Sequence, residues 1–299
     1  MNQRRARVAM TLLELLIVVA IIGLLIGLTL PAVQRVRYAS YRTTCANNLR
    51  QIGLALHGYH ARHESFPAGF TVPPKNALGP FAYMSWLTRV LPDLERDELW
   101  RATVAAYEER WFPYTDPPHV GNATHVPTFI CPTDDRIQSP ATTRSGRRVA
   151  FTSYLGVLGR YQGDAAGILY LNSRVRATDI LDGTSQTLMV GERPPSVNLR
   201  YGRWYADSGT DDNGSCGVTL GSDTLFSGHR TEGQCNVSLP NFHAGRIDQI
   251  CDMYHFWSLH SEGCPFLLAD GAVIMLSYSA GDIFPSLVTR SGGEIDRVP

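Results

Sequence analysis

An apolar run near the N-terminus constrains the fold of this chain of 299 residues more than any other feature. The run extends from Met10 to Leu30, and Glu14 is its single ionisable residue. As a helix it would be about 30 Å long, enough to span the hydrocarbon core of a bilayer. Three of the first seven residues are Arg, and such a basic flank stays in the cytoplasm. The sequence therefore predicts a single-pass protein of the cell inner membrane, with its N-terminus cytoplasmic and its C-terminal part extracytoplasmic.

Two other kinds of N-terminal segment begin in the same way. A secretory signal peptide is removed at a small-residue motif after its apolar run. The residues after Leu30 are a poor match to such a motif: Pro31, Ala32, Val33, Gln34 and Arg35. An ordinary signal anchor gives no reason for an acid inside the membrane, where a carboxylate costs roughly 2.5 to 3.5 kcal/mol. Glu14 is therefore a candidate functional residue.

The segment from Ala9 to Leu16, AMTLLELL, resembles the prepilin-type cleavage and methylation motif. In that family a short basic leader is cut before a hydrophobic residue, and Glu is fifth in the mature chain. A cut between Ala9 and Met10 makes Glu14 fifth and places Pro31 where pilins often carry a helix-kinking Pro. Ala9 departs from the family, which usually has Gly there. The resemblance implies that prepilin peptidase removes residues 1–9 and that other pilin-like subunits pack through residues 10–35.

The physical chemistry of the membrane agrees with this resemblance. A cut on the cytoplasmic side leaves residues 10–30 attached as a transmembrane helix in inner membrane lipid. The new amine of Met10 is a cation that can pair with the carboxylate of Glu14, in the same subunit or in a neighbour. Glu14 would then be an assembly residue, and a carboxyl that is simply protonated in lipid is the alternative.

From Pro31 onward the pattern becomes amphipathic. Apolar residues recur at spacings of three to five from Val33 to Tyr59, which is typical of one helix face. We therefore expect residues 31–64 to continue the N-terminal helix, with a bend at Pro31. Three histidines lie near its end: His57, His60 and His63. Histidines at this spacing are more often exposed to solvent than bound to a metal ion.

Residues 65–299 alternate short apolar runs with Pro, Gly, Asp and Asn, which indicates many short strands. Expected strands are Val126 to Cys131, Arg148 to Val157, Thr187 to Gly191 and Ala272 to Tyr278. Ser85 to Trp100 should form two short helices around Pro92. The predicted class is α+β and pilin-like, a long helix packed on an antiparallel sheet with loop-rich insertions. Since 20 of 27 basic but 26 of 27 acidic residues follow residue 50, no nucleic-acid partner is expected.

Most of the chain also resembles a large bacterial family of prepilin-like proteins of unknown function. Four segments carry the resemblance: Cys45 to His57, Phe129 to Asp134, Asp182 to Thr187 and Thr289 to Glu294. The family is named for a sequence box, a His followed by nine residues and Asp-Gly, which occurs here as His260, Asp270 and Gly271. Asp-Gly between two apolar runs predicts a hairpin turn. The ring of His260 is then expected to bond a backbone group near a strand end, a structural role that is favoured over catalysis.

Six cysteines in an oxidising compartment allow fifteen pairings. The resemblance favours a disulfide between Cys45 and Cys131, because both lie in family-like segments. Two local bridges are also plausible: Cys216 with Cys235, and Cys251 with Cys264. A zinc site built on CxxC-like pairs is not expected, because the sequence contains none.

The remaining functional alternatives concern one loop and the role of the whole domain. Asp207-Ser208-Gly209 faintly resembles the nucleophile segment of trypsin-like proteases, but the flanking residues do not match, so an enzyme is not expected. The same loop offers four oxygen ligands for calcium: Asp207, Asp211, Asp212 and Asn213. Their spacing does not match an EF-hand, so no cofactor is expected.

The predicted function is that of a pseudopilin or minor pilin, and the alternative is a tethered module that binds a surface polymer or solute.

Overall fold

A computed structural model describes residues 12–73, 81–115, 118–142, 146–161, 163–207, 217–223, 235 and 242–294. The chain divides into two compact units, Met1–Thr43 and Thr44–Pro299. The class is α+β, with a long N-terminal apolar helix and a sheet, as the sequence predicts. Eight of the candidate residues lie outside the described ranges: Ala9, Met10, Ser208, Gly209, Asp211, Asp212, Asn213 and Cys216.

Helix α1, Leu12–His63, begins in the first unit. Every side chain from Leu12 to Leu30 is exposed, and the helix continues through Pro31. Among the described residues, α1 is the one helix that is long and apolar enough to cross a membrane. A membrane anchor and a signal sequence share that property.

The part of α1 in the second unit is amphipathic. Cys45, Leu49, Ile52 and Leu56 are completely buried, at spacings of four, three and four residues. This periodicity is that of one helix face against a core, as predicted. The predicted face does not extend further towards the N-terminus, since Val33 and Val36 are 59% and 69% exposed.

Short helices follow in the order that the sequence indicates. Helix α2, Trp86–Arg89, is capped by Ser85, whose Oγ accepts a hydrogen bond from the backbone N–H of Thr88. Pro92 lies inside the 3-10 helix Leu91–Leu94, and α3 extends over Asp97–Glu109, beyond the predicted end at Trp100. Helix α4, Phe284–Leu287, lies near the C-terminus.

The described residues form one five-stranded sheet and one two-stranded sheet. The strands are β1 Ala141–Thr142, β2 Arg148–Val149, β3 Tyr154–Gly159, β4 Leu188–Glu192, β5 Thr219–Gly221, β6 Cys264–Leu268 and β7 Val273–Leu276. Strands β1 and β2 pair with each other, and the larger sheet has the order β5-β3-β4-β6-β7. The pairs β3–β4, β4–β6 and β6–β7 are antiparallel, whereas β3–β5 is parallel. The sheet is therefore antiparallel, as expected, except at its β5 edge, where it is parallel.

The strand predictions have mixed outcomes. The segments Thr187 to Gly191 and Ala272 to Tyr278 contain β4 and β7, and Arg148 to Val157 is divided between β2 and β3. The strand expected at Val126 to Cys131 is wrong. A 3-10 helix, Pro127–Phe129, lies there, and Pro127 favours it because proline cannot donate to a strand ladder.

Alternating side chains of β6 divide the core between the two faces of the sheet. Leu267 belongs to the cluster that contains Cys45, Leu49 and Ile52 of α1. Phe266 and its neighbours on the same face belong to a second cluster with Phe284 and Leu287 of α4. Glu192, at the end of β4, and His260, which precedes β6, are both buried within the second unit.

Candidate functional site

A disulfide joins α1 to the segment that precedes the sheet. Cys45 and Cys131 are bonded, and both are buried, at 0% and 1% exposure. This is the pairing that the family resemblance favours. The amide of Asn48, one turn further along α1, donates to the carbonyl of Ile130 at 2.9 Å, and the hydroxyl of Tyr154 donates to the carbonyl of Cys45 at 3.2 Å. The disulfide and these hydrogen bonds therefore fasten this turn of α1 to the segment before the sheet and to β3.

The ring of His260 lies against this disulfide. Its Nε2 atom is 3.5 Å from Sγ of Cys131 and 3.6 Å from Oε2 of Glu192. The sequence predicts a bond from this ring to a backbone group, whereas Nε2 faces two side chains. The backbone N–H of His260 is the group held locally, since it donates to Oγ of Ser258 at 3.1 Å.

Glu192 at the end of β4 is the acidic side chain of this cluster. It is completely buried, and among the described residues its carboxylate oxygens have no hydrogen-bond partner within normal distance. Burial raises the pKa of Glu192 above its ordinary value; the nearby His260 opposes this shift, and Asp134 adds to it. The 3.6 Å separation from Nε2 of His260 is longer than a normal hydrogen bond. Glu192 was not predictable from the sequence, since an acid that ends a short apolar strand gives no distinctive signal.

Asp270 and Gly271 form the predicted turn between β6 and β7. Oδ1 of Asp270 accepts a hydrogen bond from the N–H of Ala272 at 2.8 Å, and the N–H of Gly271 donates to the carbonyl of Leu268 at 3.0 Å. Gly271 has φ +92°, a conformation that favours glycine. His260 precedes β6 and Asp270 follows it, so the two named residues of the box lie at opposite ends of one strand. They do not form a His–Asp pair.

Two other family-like segments bind each other. The carboxylate of Asp182 accepts hydrogen bonds from the backbone N–H groups of Gly292 and Gly293, at 2.7 and 2.9 Å. The guanidinium of Arg290 donates to the carbonyl of Gly167 at 2.8 Å and also to the carbonyl of Ala165. These motifs therefore hold the C-terminal turn in place.

The second disulfide differs from the expected local bridges. Cys235 is bonded to Cys251, so the expected pairs Cys216 with Cys235 and Cys251 with Cys264 are both wrong. Cys264 is a buried free thiol at the start of β6, and it donates to the carbonyl of Glu192 at 3.2 Å. Burial raises the pKa of this thiol well above its ordinary value, which keeps it protonated and unreactive.

The three histidines of α1 and Asp207 of the candidate calcium loop make their own separate contacts. Nε2 of His60 accepts from the N–H of Ala177 at 3.2 Å, and the rings of His57 and His63 contact Phe66 and Tyr59. The expected solvent exposure therefore holds for His63 but not for His57 or His60, which are partly buried. Asp207 donates its backbone N–H to the carbonyl of Tyr83, and the other calcium candidates lie outside the described residues.

A cavity of about 330 Å³ lies beside α1 in the second unit. Its polar lining comes from six residues: Thr44, Asn48, Gln51, His125, Thr128 and Gln138. The volume is at the lower end of the range for small-molecule pockets.

The chemistry of the buried cluster is structural in character. A disulfide occupies both sulfur atoms, the carboxyl is shielded from water, and the ring of His260 is 6% exposed. Such a site connects α1, β4 and the segment before β6, and its side chains are buried.

Comparison with the curated proteins found no match to this chain. Comparison with the solved structures found none either. One family model does match, from residue 34 to residue 282, and the region includes the whole box from His260 to Gly271. The chain therefore belongs to the protein family of unknown function DUF1559.

Proposed function

We propose that this protein is a membrane-anchored, pilin-like assembly subunit, a pseudopilin or minor pilin of a type II secretion or type IV pilus-like system. The observation that carries the proposal is the apolar part of α1, Leu12 to Leu30, whose side chains are all exposed. An apolar surface of this size needs lipid or neighbouring helices to cover it. In this proposal the surface lies in the inner membrane, and the DUF1559 domain lies outside the cytoplasm.

Processing supplies an amine that can pair with the carboxylate of Glu14. Prepilin peptidase would cut between Ala9 and Met10, after which Met10 can be N-methylated. The amine of Met10 in one subunit would pair with the carboxylate of Glu14 in the next, because an ion pair offsets part of the cost of each charge in lipid. The protein is thus a substrate of an enzyme and not itself an enzyme.

Mass spectrometry of the chain extracted from membranes tests the processing step. We expect a mature chain that begins at Met10 and retains the apolar helix. A chain that keeps residues 1–9, or one that begins after Leu30, would contradict the proposal.

Glu14→Ala tests the assembly step, and Leu15→Ala is the matched control because it shortens a neighbouring side chain without removing a charge. We expect the Glu14 variant to be inserted and processed but to lose cross-links to other pilin-like subunits. The Leu15 variant should retain them. Normal cross-linking of Glu14→Ala would refute the assembly role.

The cavity beside α1 favours a second candidate, a tethered module that binds a solute. Glu14→Ala also separates these functions, because a tether needs only its anchor. Binding activity that survives this substitution, together with the absence of subunit cross-links in the unmodified protein, would favour the module.

A further inference from the structure

A second cluster of ionisable side chains lies in the segment before β6. Oδ1 of Asp252 is 3.2 Å from Nε2 of His255 and 3.9 Å from Nε2 of His243. The two imidazole rings are stacked, with their centroids 3.9 Å apart. Two ring nitrogens and one carboxylate oxygen therefore converge within 4.8 Å of one another.

The hydrogen bond on the far side of His255 sets its tautomer. Nδ1 lies 3.1 Å from the carbonyl oxygen of Phe256, and a carbonyl oxygen can only accept. Nδ1 therefore carries the hydrogen, so a neutral ring directs the lone pair of Nε2 at the carboxylate of Asp252. Two electron-rich atoms 3.2 Å apart repel each other unless a cation lies between them. The cation is either a proton on Nε2 or a metal ion.

The surroundings hold Asp252 and His255 in this arrangement. Oδ2 of Asp252 accepts from the backbone N–H of Arg246 at 2.6 Å, which leaves Oδ1 to face the two rings. The carbonyl of Asp252 accepts from Nε1 of Trp257 at 2.7 Å. Gly245 packs on the same indole so closely that a Cβ atom would lie 2.3 Å from it. The disulfide between Cys235 and Cys251 ends immediately before Asp252.

The distances suit a small transition-metal ion. Ligands at about 2.0 to 2.1 Å from tetrahedral Zn²⁺ are about 3.3 Å apart, and the observed 3.2 and 3.9 Å bracket that spacing. Nδ1 of His255 bonded to a carbonyl is the outer-shell arrangement that metal-binding histidines use. The side chain of His243 is 26% exposed, so solvent can reach the cluster.

We propose that His243, Asp252 and His255 bind a divalent transition-metal ion of the Zn²⁺ class, with a fourth position open to water or to an external ligand. Imidazole nitrogens with one carboxylate suit Zn²⁺ and its neighbours better than Ca²⁺ or Mg²⁺, which take oxygen ligands. The site is separate from the His260 box, and it requires no role for α1 in assembly.

Zinc titration of the full-length chain tests the site. The protein should be in detergent, stripped with a chelator and kept oxidised, so that the sulfurs of Cys45 and Cys131 remain in their disulfide. We expect one Zn²⁺ per chain by calorimetry and a higher melting temperature with ZnSO₄. Binding should be weaker in acid, because protonated imidazoles cannot ligate a metal ion.

Variants identify the ligands. His243→Ala and Asp252→Asn should each weaken Zn²⁺ binding at least about tenfold, since loss of even an outer-shell partner costs this much. His63→Ala is the matched control, because it removes one exposed imidazole from α1 and should leave binding unchanged. His243 is partly exposed, so its variant should fold, and an unchanged melting temperature without zinc checks this. Failure of the unmodified chain to bind, or equal binding by His243→Ala, would overturn the site and leave a proton as the cation.

Discussion

The more apolar part of helix α1 is exposed, whereas the less apolar part is buried along one face. From Leu12 to Leu30 nearly every residue is apolar and every side chain is exposed, whereas from Cys45 to Leu56 polar residues are frequent and one face is completely buried. The difference lies in periodicity. An amphipathic face docks on the domain that the same chain supplies, while a helix that is apolar all round needs an apolar environment on every side. Mutations in the first part should therefore affect membrane insertion, and mutations in the second part should affect the stability of the domain.

Removal of the disulfide that fastens the second part of α1 should have the largest effect. The double variant Cys45→Ala and Cys131→Ala removes a disulfide that links residues 86 positions apart. The greater chain entropy of the unfolded state should then lower the free energy of unfolding by about 4 to 5 kcal/mol. The matched double variant at Cys235 and Cys251, which are 16 residues apart, should cost only about 3 kcal/mol. Urea unfolding in detergent measures both. A smaller loss for the longer link would contradict the entropic account.

A charge placed in the first part of α1 should impair membrane insertion. Leu24→Arg costs roughly 2.5 to 3.5 kcal/mol at the centre of a bilayer, so the membrane-extracted fraction should fall. Leu54→Arg makes the same substitution at a comparably exposed residue, 74% against 65%, in the second part. It should leave insertion unchanged and alter unfolding by less than about 0.5 kcal/mol. Equal effects of the two substitutions would remove the distinction between the two parts.

A smaller loss is expected at the hairpin turn that adjoins the second part. Gly271→Ala places a Cβ on a residue with φ +92°, at a cost of about 1 to 2 kcal/mol, and that atom would lie 3.5 Å from Nε2 of His57. Gly23→Ala is the control in the first part, where a Cβ would meet no neighbouring atom. The melting temperature should fall for Gly271→Ala only. An unchanged melting temperature for Gly271→Ala would show that this turn does not need glycine.

The smallest effect should be a change in pH dependence. Burial raises the pKa of Glu192, so the folded chain keeps a proton that the unfolded chain releases as the pH rises above the ordinary value for Glu. The contribution of Glu192 to stability is complete below that ordinary value and is lost as the pH rises through the folded pKa. Glu192→Gln keeps the size of the side chain and removes the titration, so the melting temperature should decline less between pH 5 and pH 7. The exposed Glu262→Gln should change nothing, and a steeper decline in Glu192→Gln would refute this account.

Local features were predictable because their causes lie within a few residues. The turn at Asp270 and Gly271, the burial of Leu49 and Ile52, and the short helices around Pro92 follow from neighbouring side chains and helix period. Resemblance to a family supplied the pairing of Cys45 with Cys131, which spacing alone left among fifteen alternatives. The strand expected before Cys131 failed because the conformational preference of Pro127 outweighed an apolar pattern.

The sequence by itself determined that the chain has an apolar helix long enough for a membrane, an amphipathic continuation and a hairpin near its end. Tertiary structure alone decided that β5 lies parallel to β3, that Cys235 pairs with Cys251, and that the ring of His260 faces Glu192. Helix period and turn geometry depend on a few neighbouring residues, so they can be predicted from the sequence. Contacts between distant residues depend on how all the elements pack together, and no short stretch of sequence encodes that arrangement.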